Sequence, residues 1–386
     1  SYLLKMSSDC TEYTVLVDGA VWLRGAGPAF HLSGRWWEVG AGLTLLGTST
    51  GTGTDPQLGR FTERSAEWGA GGVRVSTIWR VHASAITFTQ AFPDGANGTA
   101  LPQSPPWKPG DIALTDDVSQ LATAFPRFRT GKSSGRLSEL GYFSFRYFWD
   151  LDMTGGDAGG LGGDFNRDGA VYGGVPLLLH DRDTLRSVVL SPAENFKAAL
   201  TAQTKQPPLG DDLACGIHGR VRSLPPGFSH TTILFSDADQ RRGVRRALLG
   251  WGDVLLARNN KPRKSPAPSA QQTRLGYGTA TGAYYWYRTE AGADYEETMR
   301  AIRSAHLAQG LPVGWYELDS WFYFKSGNST NEDGGCAEWA ARPDIFPHGL
   351  PAVHEALGGP LMTHCKYFSA DNVYQDRFHF IKDPES

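Results

Sequence analysis

Two carboxylates and two indoles fall within seven residues at Trp315-Tyr316-Glu317-Leu318-Asp319-Ser320-Trp321. The approach to them, Leu311-Pro312-Val313, is apolar. A carboxylate taken out of water is costly unless it is paired or hydrogen-bonded. A strand that ends in two of them therefore has a use for them. Indole faces beside acids suit a sugar, because the rings take its C–H face and the carboxylates accept its hydroxyls. Trp315, Glu317, Asp319 and Trp321 are expected to line a carbohydrate site. Trp286, His364, Lys366 and Asp371, on the neighbouring segments, are expected to join them. The competing reading is an edge strand that runs into a polar loop.

The elements that hold these residues alternate. Leu275–Thr279 leads to the aromatic, β-rich run Ala283-Tyr284-Tyr285-Trp286-Tyr287. Asp294 is placed to cap a helix with Tyr295, Met299, Ile302 and His306 on one face, stopped at Gly310. The strand Leu311–Asp319 comes next, followed by a long loop. Leu350, Val353 and Leu357 mark a short helix that stops at Gly358-Gly359. Pro360–Tyr367 reads as a third strand, with Asp371 and Asn372 just beyond it. Strand–helix–strand–helix–strand is the signature of parallel α/β units. In such barrels functional residues stand at the C-terminal ends of strands. Residues 275–386 are thus expected to form the first three or so units of a TIM (β/α)8 barrel.

The preceding 235 residues read as all-β. Tyr13–Leu23 is two strands around Asp18-Gly19, and Val73–Val81 and Ala85–Phe92 alternate. Many short strands with Gly and Pro turns predict a large β-sandwich over 1–235, of the supersandwich kind. A linker spans 236–274. Ser236 is expected to cap its helix, with Val244, Ala247, Leu248, Trp251, Val254 and Leu255 as the apolar face. The Pro-rich Lys261–Thr273 joins it to the barrel. The chain is multi-domain on this reading.

Asp164-Phe165-Asn166-Arg167-Asp168-Gly169 has the oxygen-ligand spacing of a calcium loop. Val175 stands where the closing Glu belongs, so a standard EF-hand is excluded. A Gly-rich surface loop is the preferred reading, with Asp164, Asn166 and Asp168 as a weak cation set. The four cysteines permit two disulfides, Cys336–Cys365 and Cys10–Cys215, against the alternative of four free thiols. Asn97-Gly98-Thr99 and Asn328-Ser329-Thr330 are glycosylation sequons. With 12 Trp and 47 Gly, they favour a secreted or lumenal carbohydrate-active protein. A net charge of -3 offers no basic surface for nucleic acid. Lys261-Pro262-Arg263-Lys264 reads as solvated linker. No apolar run approaches the ~18–20 residues that span a bilayer. Ser1 reads as a processed start. No cofactor is expected.

The order of sandwich, connecting helix and barrel, with Asp319-Ser320-Trp321 at the end of the second strand, resembles the α-galactosidase and raffinose-synthase-like glycoside hydrolases. Asp319-Ser320-Trp321 is similar to the Asp-Gly-Trp of that group. Glu317-Leu318-Asp319 is similar to the Asp-x-Asp of the α-glucosidase-like family, with Glu for the first Asp. Phe346-Pro347, a short helix, a Gly pair and a strand resemble the same family. The resemblance implies hydrolysis or transfer of α-linked glycosyl groups by a retaining mechanism with two carboxylates. It implies Asp319 as a ligand of substrate hydroxyls. It places the nucleophile and the acid/base after the fourth and sixth barrel strands, so no catalytic carboxylate is expected among residues 1–386. A second chain or a continuation is then expected to complete the barrel. The rival reading is a non-catalytic glycan-binding or structural extracellular glycoprotein that reuses the fold.

Overall fold

The computed structural model describes residues 2–101, 121–130, 135–145, 153–156, 175–203, 208–210, 212–236, 243–261, 269–280, 284–285, 287–326 and 334–380. Trp286, Asn328 and the Asp164, Asn166 and Asp168 set lie outside them. The chain divides into two compact units, Ser1–Arg263 and Lys264–Ser386.

The first unit is built mostly of strands. One sheet has six strands, ordered Tyr2–Met6, Glu12–Val17, Ala20–Ala26, Arg127–Phe128, Leu213–Ile217 and Ala199–Gln203. Asp18 and Gly19, both at positive φ, make the tight turn of its first long hairpin. A second, twelve-stranded sheet has Val73–His82, Ala85–Phe92 and Phe228–Phe235 side by side near its middle. The two sheets share one apolar core. Alternation along Val73–His82 sends Val75 and Trp79 into it. Tyr13 of the six-stranded sheet meets Trp79 and Phe88 of the other, each at 5.8 Å between ring centroids.

Two polar features sit within this apolar setting. Arg127, 7% exposed, pairs with Glu38 at 2.9 Å and Asp212 at 3.4 Å. His230 lies opposite Gln90 in the large sheet and is 2% exposed. Neither of its ring nitrogens has a hydrogen-bond partner among the described residues.

Helix α1, Gly243–Arg258, belongs to the first unit. Val244, Ala247, Leu248 and Trp251 pack on Leu178 and Val189. Val254 and Leu255 pack beside Ala193, Ile233 and Phe235. Ser236 directly follows the strand Phe228–Phe235, and its N–H donates to the Ser84 carbonyl.

The expected disulfides are corrected here, because all four cysteines are free thiols. Cys10 Sγ accepts from Arg64 Nε at 3.4 Å, and Cys215 Sγ from Thr201 Oγ1 at 3.6 Å. Those two sulfurs have separate polar partners and do not meet. Cys336 and Cys365 are electrostatic neighbours, and the Cys365 thiol donates to the Lys366 carbonyl at 3.3 Å.

In the second unit β1 (Leu275–Gly278), β2 (Val313–Leu318) and β5 (Leu361–Thr363) form a parallel sheet in the order β1-β2-β5. Helices α2 (Tyr295–Ala308) and α3 (Gly349–Leu357) provide the crossovers. Asp294 caps α2 through a full capping box with Glu297. Gly358 ends α3 in the left-handed region. Met299, Ile302, Val353 and Leu357 form a core with Tyr316 and Leu318. The loop after β2 carries an antiparallel hairpin, β3 (Tyr323–Lys325) and β4 (Cys336–Ala341). Glu296 is buried and accepts from the His348 backbone N–H and Nδ1, both at 2.9 Å, which ties the starts of the two helices together. An eight-stranded barrel needs five more strands than this parallel sheet has. Among the described residues no helix is long and apolar enough to cross a membrane.

Candidate carbohydrate site

Alternation along β2 divides its side chains between two faces. Tyr316 and Leu318 face the helices and are fully buried. Trp315 and Glu317 face the other way and are half-buried, with Asp319 just past the strand end. Strand β1 makes room for them by having no side chains there. A Cβ on Gly276 would stand 2.1 Å from the Trp315 ring, and one on Gly278 would stand 2.9 Å from Glu317 Oε2. The indole lies over bare backbone, and its Nε1 donates to the Arg274 carbonyl at 3.2 Å. Met362, paired with Glu317 across the sheet, lies on the same face.

The strand end is fixed by Thr279, a buried residue that the sequence did not single out. Its hydroxyl donates to the Glu317 carbonyl at 3.0 Å and accepts from the Asp319 N–H at 3.2 Å. Its own carbonyl accepts from Trp321 Nε1 at 3.3 Å. Thr279 therefore sets the height at which the two carboxylates leave the sheet. On the other side, the His364 N–H donates to the Leu318 carbonyl at 2.9 Å.

Glu317 is held above the usual carboxylate range. Burial is the main cause, the nearby Asp319 adds to it, and His364 opposes both. The three groups are thus electrostatic neighbours at the C-terminal ends of β2 and β5. Tyr323 joins them: its hydroxyl lies 3.4 Å from His364 Nδ1 and accepts from the Lys366 N–H at 3.2 Å. The Tyr323 and His364 rings are nearly parallel, 4° apart. The Tyr323 hydroxyl is therefore held in its neutral form, by burial first and then by neighbouring acidic groups including Asp319.

The other expected residues divide. Lys366 is half-buried, with its ammonium 5.5 Å from the centre of the Tyr367 ring. Asp371 is exposed and accepts from Ser326 at 3.0 Å, so it fastens the hairpin. Trp321 requires a correction. It is 3% exposed and cannot serve as a sugar wall. The turn at Asp319, closed by Trp321 N–H to Asp319 carbonyl at 2.8 Å, sends the indole into the helix-side core. There it stacks on Phe346 and meets Tyr295 edge-on. Trp339, on β4, has the opposite placement. It is 45% exposed, and its Nε1 donates to the His364 carbonyl at 2.9 Å.

Tyr323→Phe tests how the site is held. It removes a buried hydroxyl with two polar neighbours. The expected cost is about 1–3 kcal/mol in unfolding free energy, read from denaturant titration. An unchanged midpoint would show that the hydroxyl holds nothing.

A groove of about 460 Å³ lies in the first unit, along Asp94–Asn97 and Ser223–Pro226. Its one acid, Asp94, is already paired with Arg74 at 2.8 Å.

No family model matches the chain, and no curated protein matches it. Solved structures do. A variant of the GH36 α-galactosidase from Geobacillus stearothermophilus, in complex with raffinose, is 12% identical with a TM-score of 0.43, covering 94% of this chain and 49% of that one. A Glycoside Hydrolase Family 97 enzyme variant from Pseudoalteromonas sp. strain K8 is 9% identical with a TM-score of 0.48, covering 93% and 53%. The α-galactosidase from Lactobacillus brevis is 12% identical with a TM-score of 0.40, covering 95% and 47%. The chain thus spans about half the length of the solved structures that it matches.

Proposed function

We propose that this chain carries the sugar-recognition part of a glycoside-hydrolase-like protein that acts on α-linked glycosides, α-galactosides first. The observation that carries the reading is the Glu317, Asp319 and His364 group, set at the ends of parallel strands beside the Trp315 ring. A carboxylate above its usual range is the sort of perturbed group that marks a functional site. Asp319 binds substrate hydroxyls on this reading, with Glu317 and His364 completing the polar rim and Lys366 at its edge. The residues 275–386 are the opening units of a (β/α)8 barrel. The face that bears Trp315, Glu317 and Met362 is its interior, covered by strands from a continuation or a second chain. Those strands supply the nucleophile and the acid/base.

One observation favours the binding-only alternative. Glu317 and Asp319 sit two residues apart at one strand end, on the same side of any ligand. A two-carboxylate mechanism needs its acids on either side of the scissile bond. These two alone suit hydroxyl recognition.

The test is a panel of α-galactosides and α-glucosides, assayed for turnover and for binding on the full protein and on Asp319→Ala. Loss of at least tenfold in kcat/KM or affinity is expected, since a hydrogen bond to a charged group is worth about 1.5–3 kcal/mol. Binding without turnover in the native protein supports the glycan-binding alternative. Activity indifferent to the substitution would remove Asp319 from the site.

A further inference from the structure

We propose that Asn97 carries a glycan, attached before the fold closes on its sequon and seated in the groove of the first unit. Asn97-Gly98-Thr99 has the acceptor pattern, which belongs on a surface. The fold parts its two functional side chains. Asn97 is exposed. Gly98, at a φ of 79°, turns the chain, and Thr99 is fully buried. Asn97 lines the groove of about 460 Å³ together with Leu32, Gly71, Gly72, Leu224, Pro225 and Pro226. Asp94, the one acid there, is engaged by two Arg74 nitrogens at 2.8 and 3.1 Å. A neutral, hydroxylated ring on the Asn97 amide therefore has space beside it and meets no uncompensated charge.

The attached group is an oligosaccharide that begins with an N-acetylhexosamine, transferred from a lipid pyrophosphate carrier. Asn97 Nδ2 bonds to the anomeric carbon. The bond from that carbon to the pyrophosphate oxygen breaks, its electron pair stays on the oxygen, and Nδ2 gives up one proton. The acceptor pattern needs the Thr99 hydroxyl as well as the amide. In the fold that hydroxyl donates to the Val221 carbonyl at 2.5 Å. The backbone is pinned too. The Gly98 and Thr99 N–H groups donate to the Arg222 carbonyl at 2.9 and 3.1 Å, and the Ser33 N–H donates to the Gly98 carbonyl at 2.9 Å. The folded loop thus offers the amide and withholds the hydroxyl. Val221 stands 122 residues beyond Thr99, so the hydroxyl is free until that segment has been made and has folded back. The inference holds whether or not Asp319 binds a sugar.

Peptide mass mapping of the protein from its own cells tests the site. The Asn97 peptide is expected to carry an N-acetylhexosamine-based glycan, and enzymatic release should leave Asp in place of Asn97. Unmodified Asn97 in that material overturns the proposal. The order of events is tested by cell-free translation of the full chain, with Asn328→Gln to silence the other sequon. Solubilised oligosaccharyltransferase and its lipid-linked donor are present from the start or are added after folding. Occupancy of Asn97 should be at least about tenfold lower in the second case, because Thr99 is then reached only when the loop opens. Equal occupancy would show that the pinned loop is no barrier. Melting curves of the glycosylated chain and of Asn97→Gln test the seat, and similar midpoints are expected. A clearly lower midpoint with the glycan attached would mean that the groove does not accept it.

Discussion

Replacing Arg127 with leucine is expected to destabilise the first unit by about 3–5 kcal/mol. Arg127, Glu38 and Asp212 form a nearly dry ion cluster, with side-chain exposures of 8%, 17% and 10%. The guanidinium comes from Arg127–Phe128, a two-residue strand between Ala20–Ala26 and Leu213–Ile217. Without it, the Glu38 and Asp212 carboxylates both lose the guanidinium that they share in a poorly solvated space. The effect exceeds the worth of the ion pairs, because removing one partner of a buried charge cluster leaves the others poorly compensated. Chemical denaturation should show the loss as a lower midpoint with an unchanged slope. The triple change to Arg127→Leu, Glu38→Gln and Asp212→Asn should recover much of it. A single Arg127→Leu variant as stable as the native protein would show that water reaches the cluster.

Acid should unfold the first unit through His230. Burial alone pushes the imidazole down to about 4, from an ordinary value near 6.5. The unfolded chain therefore binds a proton between pH 6.5 and 4 that the folded chain refuses. Stability from this group is fully present above pH 6.5 and falls as pH drops through that window, by about 3 kcal/mol in all. His230→Leu has no such proton to take up. Its stability should be flatter with pH between 6.5 and 4, and the difference from native protein should grow steadily toward pH 4. The removal of a buried ring with no hydrogen-bond partner among the described residues should also raise stability at pH 7. Parallel pH dependence in the two proteins would mean that His230 is hydrated in the fold.

Local chemistry in this sequence was readable, and tertiary choices were not. Asp294 and Glu297 are three residues apart, so the start of α2 could be read from four letters. Gly358 announced the end of α3 in the same way. An apolar run ending in Glu317 and Asp319 marked β2. The run Tyr284–Tyr287 reads as β by aromatic propensity, yet Tyr284 and Tyr285 lie outside any strand. Contacts outweigh propensity there: Tyr295 donates to the Tyr284 carbonyl, and the Tyr285 ring packs on Trp321. The β3–β4 hairpin left no pattern, because its register shifts at successive steps and one strand has three residues. Trp315, Trp321 and Trp339 are alike as letters. Which one faces outward depends on a turn at Asp319 and on a hairpin that composition does not show.

The middle of the large sheet sets a schedule for the nascent chain. Ala85–Phe92 is flanked by Val73–His82 and by Phe228–Phe235. The first neighbour leaves the ribosome just before it, and the second more than 130 residues later. At typical synthesis rates that gap lasts roughly 7–30 s. During that time the Ala85–Phe92 edge of the growing sheet has no strand to bond. The vulnerable interval in the life of this protein comes before it is finished. Factors that hold emerging chains would act on the Val73–Phe92 hairpin first.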